Sequence, residues 1–390
     1  MAEIAIVRAA HLHVYLDELH EIGAPVERAL GGSRLPSWIE ETPDAYVSVP
    51  LVFDWVARCG RDVELMDLGF RAARRASLAC VSAPLRRALL DAPTGFARLR
   101  AVLRLAALDD SALAPRMQAE GDLVRVICDL QGLGGNPFVC LGEWLNLQAM
   151  ISVVRSVAGP DWRPPEMTFV ARRGPSFAAQ EAFPDTRILV GQAQTSILVG
   201  RDLLARPGAD AAEGATSRSC AVDDAAVWSF AAALRSAIRP YLADGYPDLR
   251  LISEVVGLSG RTLQRRLQQC GRSYSDVVQE ARFSLALELL VDPAAKVIDV
   301  AMAAGYENPQ HFSRAFRQLT GVSPTAYRRS ATATDLRAAA IRCGSADGAD
   351  SESEANPSEG GQSASGGDQV LGTRAVIEAA CKPFARMTAS

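Results

Sequence analysis

The sequence predicts an α+β protein, a mixed α/β N-terminal domain followed by an all-α C-terminal domain with two helix-turn-helix units joined by a linker helix. Three observations predict it. A helix, a glycine turn and a second helix occur between Leu251 and Gln269 and again between Val297 and Thr320. One amphipathic run, Val277 to Leu290, joins the two. Upstream, about 200 residues mix helical spacing with short alternating stretches, the pattern of a domain large enough to enclose a pocket.

From the start of the chain, residues 9 to 30 read as one helix with Val14, Leu16, Leu19 and Ile22 apolar, ahead of a loop through Gly31-Gly32, Pro36 and Pro43. His13, Asp17 and His20 share one face at i, i+4 and i+7, so a metal site can be drawn there. Polar residues on the solvent face of an amphipathic helix need no metal to explain them, and no metal or other cofactor is expected. Pro50 to Arg58, Val63 to Ala76 and Ala97 to Ala107 continue as helices, Asp122 to Leu130 alternates like a strand, and Asn136 to Val157 returns to helix. Glu166 to Arg172, Thr186 to Val190 and Thr195 to Val199 are short strand candidates. Trp38, Trp144, Trp162 and Phe138 could line a cavity, although aromatics at apolar positions usually form core.

Arg206 to Asp224 is rich in Ala, Gly and Ser and reads as a linker. The boundaries expected are therefore 1–205, a linker at 206–224, a second domain at 225–330, and an acidic low-complexity tail at 331–390 that cannot bury enough to fold. Within that tail Val370 to Met387 could form a short helix.

In the second domain, the later unit has the clearer signals. Val297, Val300 and Ala301 fall at helical spacing, Ala304-Gly305-Tyr306 makes the turn, Asn308 is placed to cap the next helix, Pro309 stands at its first position and Gly321 closes it. Phe312, Phe316 and Leu319 mark one face as buried, while Gln310, Ser313, Arg314 and Arg317 form a polar stripe on another. The earlier unit repeats this plan with Gly257 at the turn, Ser259 as cap, Leu263 and Leu267 as the core face, and Arg261, Gln264, Arg265 and Gln268 as the stripe. Arg, Gln and Ser are residue types that read base edges and hold phosphates, and two such helices reach successive major-groove segments about 34 Å apart.

These residues also carry a resemblance. GLSGRTLQRRLQQCGRSYSDVVQEARFSLALELL and VIDVAMAAGYENPQHFSRAFRQLTGVSPTAYR contain, in order, the blocks of the AraC/XylS family of bacterial transcription regulators. The region from about Trp228 to Arg329 resembles that family's DNA-binding domain. The resemblance implies one recognition helix per unit, with Arg261, Gln264 and Arg265 in the first and Gln310, Ser313 and Arg314 in the second. It also implies double-stranded operator DNA, a small-molecule effector, RNA polymerase and a second copy of the chain as partners. More diffusely, SVPLVFDWVARCG and FVARRGPSFAAQEAFPDTRILVGQAQTSILVGRDLL resemble the effector-sensing N-terminal domain of one branch of the family. An alternative is a ligand-independent regulator that uses this domain for dimerisation alone.

Composition agrees with this reading once charge is localised. The chain carries a net charge of −4, but from Arg250 to Ser330 it has eleven Arg and Lys against seven Asp and Glu, a mildly basic surface and not a polycation. Eight cysteines are scattered with no C-x-x-C, as expected of reduced thiols in a cytoplasmic protein. No signal-peptide pattern and no apolar run of membrane-spanning length is present. The sequence lacks a Walker A loop, G-x-S-x-G and H-E-x-x-H, and it lacks the metal-spaced cysteine cluster of alkyl-acceptor repair proteins, so an enzyme is not expected.

Overall fold

A computed structural model describes residues 4–36, 38–208 and 228–329. The linker expectation beyond Gly208, the acidic tail and the helix expected at Val370 to Met387 lie outside the described residues. Packing divides the chain into two units, Met1–Pro240 with Asp248–Leu263, and Tyr241–Pro247 with Gln264–Ser390.

The first unit opens with β1 (Ile6–Arg8) and α1 (Ala9–Glu21). The expected helix over residues 9 to 30 is two helices, because the backbone turns at Gly23, whose φ is 73°, before Pro25 and α2 (Val26–Gly31). A left-handed glycine two residues before a proline is a stop signal, here hidden inside an unbroken apolar rhythm. β2 (Tyr46–Ser48) pairs antiparallel with β1 and leads into α3 (Val49–Cys59) and α4 (Leu65–Arg75). Buried Glu18 on α1 pairs with Arg71 and Arg75 of α4, joining the two helices by charge as well as by apolar packing. α5 (Ala83–Asp91) was not expected, α6 (Gly95–Leu105) was, and a 3₁₀ turn, Ala106–Leu108, follows.

The sheet comes next. β3 (Leu113–Glu120) and β4 (Leu123–Leu130) form an antiparallel hairpin, α7 (Val139–Ala158) crosses, and β5 (Glu166–Thr168), α8 (Phe177–Ala182), β6 (Arg187–Leu189), β7 (Ser196–Gly200) and α9 (Arg201–Ala205) complete the domain. The strand order is β3-β4-β7-β5-β6, antiparallel except for the parallel pair β5 and β6. On β4, Val126, Ile127 and Cys128 are fully buried.

The core lies around α7. A Cβ on Gly142 would stand 2.6 Å from the Phe53 ring and from Leu130, so side chains of α3 and β4 pack directly on the α7 backbone. Trp144 fills the centre with its ring 5.0 Å from Phe70 and 4.8 Å from Phe169. Glu143 beside it accepts hydrogen bonds from the Val170 and Ala171 amides and the Thr195 hydroxyl, which fastens α7 to the turns between strands. Burial raises this carboxyl above its ordinary range. Burial likewise pushes the Cys140 thiol up to about 12 and the Cys128 thiol further, so neither is a reactive thiolate near neutral pH.

The remaining elements are α10 (Phe230–Ile238) and α11 (Leu249–Val256) of the first unit, α12 (Gly260–Gln269), which passes from the first unit to the second, and α13 (Tyr274–Leu290), α14 (Val297–Ala303) and α15 (Pro309–Thr320) of the second. α13 starts three residues earlier than its apolar pattern suggests because Ser273 and Asp276 form a reciprocal capping box.

Candidate functional site

Each helix-turn-helix is built by local signals. In the first, Asp248 caps α11 through the Leu251 amide, Gly257 takes the left-handed conformation at φ 68°, and Ser259 accepts from the Thr262 amide to start α12. Leu263 and Leu267 are fully buried, while Arg261, Gln264, Arg265 and Gln268 are exposed. In the second, Gly305 turns the chain at φ 77°, Asn308 accepts from the Gln310 amide at 2.7 Å, and Gly321 ends α15 at φ 78°. Gln310, Arg314 and Arg317 are exposed, and Ser313 is half-buried at the edge of the stripe.

One expectation about α15 is corrected. Phe312 and Phe316 are buried, but Leu319 is 40% exposed and Thr320, at 7%, takes the third inward position. The inward row is therefore 312, 316 and 320, four residues apart, and Thr320 satisfies its hydroxyl by donating to the carbonyls of Phe316 and Val322. The i+7 position of Leu319 is on the same side of the helix, but it falls in the last turn, rotated away from that row.

Sequence reasoning missed the residue that holds the second turn. Arg282 on α13 is buried, donates from Nη2 to the Gly305 carbonyl at 2.8 Å, and lies between the rings of Tyr306 and Tyr246, 4.7 Å and 5.3 Å from their centroids. Mid-helix arginines are ordinarily solvent-facing, so no local signal marks this one.

The first unit holds a partly open cavity of about 200 Å³, lined by α1, α5, α6, α7 and the residues around the 3₁₀ turn, with exposed Leu78 and Leu90 among its lining. None of Trp38, Trp144, Trp162 and Phe138 lines it. Its walls are mainly apolar, among them Leu85, Leu89, Val102, Met150 and Val153, with His11, Arg98, Asp110 and Asn146 among its polar members. His11 Nε2 and Asn146 Nδ2 are buried without a protein hydrogen-bond partner. The His13, Asp17 and His20 face lies elsewhere, where His13 Nε2 is 3.0 Å from the Ile39 carbonyl oxygen.

Burial, reinforced by the charge of Asp109, pushes the Asp110 carboxyl up to about 7, against the pull of the Ala112 and Leu113 amides. Burial lowers the His11 pKa. A carboxyl with a raised folded pKa stabilises fully below the unfolded value near 3.9, and this is lost as pH rises to about 7. His11 works in the opposite direction, so the informative comparison is wild type with Asp110→Asn, which keeps the oxygen that accepts from Ala112. Between pH 5 and pH 7 the wild type should lose on the order of 2 kcal/mol relative to the variant. The readout is Tm against pH for both proteins, and parallel profiles would show that Asp110 is ionised throughout.

Comparison with known proteins bears on both parts of the chain. Residues 23–208 match the model of the arabinose-binding N-terminal domain of AraC transcription regulators, and residues 252–330 match a helix-turn-helix domain model. The chain is 25% identical over 334 residues to the HTH-type transcriptional regulator VirS of Mycobacterium tuberculosis, covering 83% of this chain and 96% of that protein. Over 85 residues it is 34% identical to the ornithine utilization regulator of Pseudomonas aeruginosa, covering 22% of this chain and 25% of that one. Among solved structures, the transcriptional regulator CdpR of Pseudomonas aeruginosa is 22% identical with a TM-score of 0.34, over 71% of this chain and 90% of that one. With the arabinose-binding-type and helix-turn-helix domains matched in this order, the chain belongs to the AraC family of DNA-binding transcription regulators.

Proposed function

We propose that α12 and α15 are the recognition helices and that a small effector held in the N-terminal cavity gates their hold on operator DNA. The contacting set is Arg261, Gln264, Arg265 and Gln268 on the first helix and Gln310, Ser313, Arg314 and Arg317 on the second. Arginine suits the guanine edge and glutamine the adenine edge, and the remaining cations hold phosphates. Residues 1–205 serve sensing and dimerisation, 206–224 link, and 225–330 bind DNA as a homodimer that engages RNA polymerase. The protein acts in the cytoplasm and catalyses nothing; among the described residues no helix is long and apolar enough to cross a membrane.

The observation that carries gating is the 3₁₀ turn after α6. Ala106 and Asp109 line the cavity, while the Ala107 carbonyl between them accepts from the Trp228 indole, just ahead of the Ser229 cap of α10. The Trp228 ring stands edge-on to Tyr46 at 5.2 Å, and the Tyr46 hydroxyl donates to the Leu108 carbonyl. A ligand that shifts this turn therefore acts on the segment that leads into α10 and α11. Coupling must be reciprocal: an effector that changes DNA affinity has its own affinity changed by DNA to the same extent.

The test uses the full chain on its operator. Arg314→Ala should weaken specific binding by roughly 1 to 3 kcal/mol without changing Tm, since a base contact is lost and no core is disturbed. Trp228→Phe should keep ligand binding and lose the DNA response. Wild-type affinity and transcriptional output that ignore every cavity ligand would leave the N-terminal domain as a dimerisation platform.

A further inference from the structure

Four polar residues of the cavity, Arg98, His11, Asp110 and Asn146, divide between its two ends, while Ser77, Ser152, Ser156 and Asp109, which is held by Arg8 and the Ser82 amide, also line it. Arg98 and Val102 on α6 and Ala106 at the start of the 3₁₀ turn succeed one another at four-residue intervals, so the wall they make extends about 12 Å. α7 runs the other way along it, because Arg98 Nη1 donates to the Ser156 carbonyl near the end of α7 while Asn146, ten residues earlier, shares the cavity with His11 and Asp110. Arg98 thus occupies one end, and His11, Asp110 and Asn146 occupy the other. Between them lie Leu89, Val102, Met150 and Val153.

Arg98 is the unusual member. It is 5% exposed; its guanidinium donates to the carbonyl oxygens of Ala92 at 3.3 Å from Nε and of Ser156 at 3.5 Å from Nη1, and it packs against Gly208, where a Cβ would stand 2.2 Å from Nη2. No carboxylate among the described residues pairs with it. Two long bonds to neutral acceptors leave further N–H donors and a whole positive charge in an apolar enclosure, an arrangement that is costly unless an anion compensates it. The fork of the guanidinium fits a carboxylate with two parallel hydrogen bonds. At the opposite end the donors and acceptors without a protein partner are the neutral His11 Nε2 and Asn146 Nδ2, beside the Asp110 carboxyl, which accepts from the Ala112 amide and which burial pushes up to about 7. They suit a hydroxyl or carbonyl group and would penalise a second full charge.

Taking the cavity as the sensor site, as in the reading above, we propose that its ligand is a small monocarboxylic acid with an apolar body, its carboxylate on Arg98 and any second polar group, a hydroxyl or carbonyl, at His11 and Asn146. Size narrows the class. A dry cavity of ~150 Å³ accepts benzene, so one of about 200 Å³ holds a ring or short chain with a few more atoms. Amino acids, whose ammonium group would meet Arg98 or the apolar wall, and sugars, whose hydroxyls would go unpaired along the middle, fit poorly.

The experiment is calorimetric titration of the full chain with octanoate, 3-phenylpropanoate and 8-hydroxyoctanoate, beside octan-1-ol and 3-phenylpropan-1-ol. At least one acid should bind, and at least tenfold more tightly than its alcohol. 8-Hydroxyoctanoate should lose affinity in Asn146→Leu more than octanoate does. Arg98→Met should abolish the preference for acid over alcohol. If that variant fails to fold, the acid and alcohol comparison on the wild type decides alone. Equal binding of acid and alcohol, no binding by any of the acids, or an undiminished acid preference in folded Arg98→Met would overturn the assignment. An acid that binds through Arg98 and leaves operator affinity unchanged would uphold the ligand class and remove the gating role instead.

Discussion

Phe316→Ala should destabilise the second unit by roughly 3 to 5 kcal/mol, the usual range for deleting a core aromatic. The ring is 1% exposed and stands at the centre of an aromatic cluster, 5.6 Å from Phe283, 5.6 Å from Phe312 and 5.7 Å from Tyr327. Its contacts tie α13, α15 and the segment after Gly321 together, so the cavity left behind opens three ways and cannot be closed by one neighbour moving in. A loss of that size is comparable to the whole stability of a small domain, and operator binding should disappear because the unit unfolds. Leu319→Ala is the control: at 40% exposure it should cost well under 1 kcal/mol. Denaturant unfolding of both variants, followed by circular dichroism, checks the pair. A Phe316→Ala protein that melts with the wild type would place that ring outside the core.

The contrast between these two residues shows what the sequence makes legible. Capping residues act on their immediate neighbours, so Ser259, Asn308, Pro309, Gly257 and Gly321 announced the helix ends of the two helix-turn-helix units directly. The direction of a helix face is a weaker signal, because Leu319 and Thr320 differ by one position and only the packing partners decide which turns inward. β3 gave almost no signal at all. It carries Pro115 and is half-exposed along its length as an edge strand paired on one side only, so the apolar alternation that marks a buried strand is missing.

The cavity was illegible for a different reason. His11, Leu85, Arg98, Asp110 and Asn146 come from elements far apart in sequence, and each has an ordinary local explanation: a helical polar residue, a core leucine, a surface arginine. What brings them to one cavity is tertiary packing, which no spacing rule encodes. Of the aromatics that looked suited to a pocket, Phe138 lines a second one, beside Arg58 and Arg173, and Trp144 does the opposite work. Trp144 is a wedge between Phe70 and Phe169, and it fills space that a ligand would otherwise need. Arg282 is a further case, a mid-helix arginine whose role depends on two tyrosines and a carbonyl supplied from elsewhere in the second unit.

Gly305→Ala should be the most damaging of the glycine substitutions at the helix-turn-helix turns, costing about 2 to 5 kcal/mol from two sources. The first is conformational: φ is 77°, and an L side chain in the left-handed region costs roughly 1 to 2 kcal/mol. The second is steric. A Cβ there would stand 2.5 Å from the Leu242 carbonyl oxygen and 2.8 Å from that of Gly245, with Arg282 Nη2 at 3.2 Å. Two of these three atoms are backbone, and the third is fixed by its bond to the Gly305 carbonyl, so relief requires the 241–247 segment to move and adds the roughly 1 to 3 kcal/mol typical of overpacking. Gly257 and Gly321 have nearly the same φ, 68° and 78°, but a Cβ on either meets nothing within 4 Å. Gly257→Ala and Gly321→Ala should therefore cost only the conformational part. Measuring all three by denaturant unfolding subtracts the shared strain and isolates the clash, and equal losses at the three positions would mean that the 241–247 segment yields freely. Because Gly305 sets the angle between α14 and α15, the same variant should also lose operator affinity under conditions where it remains folded, and Gly321→Ala, at the far end of α15, should not.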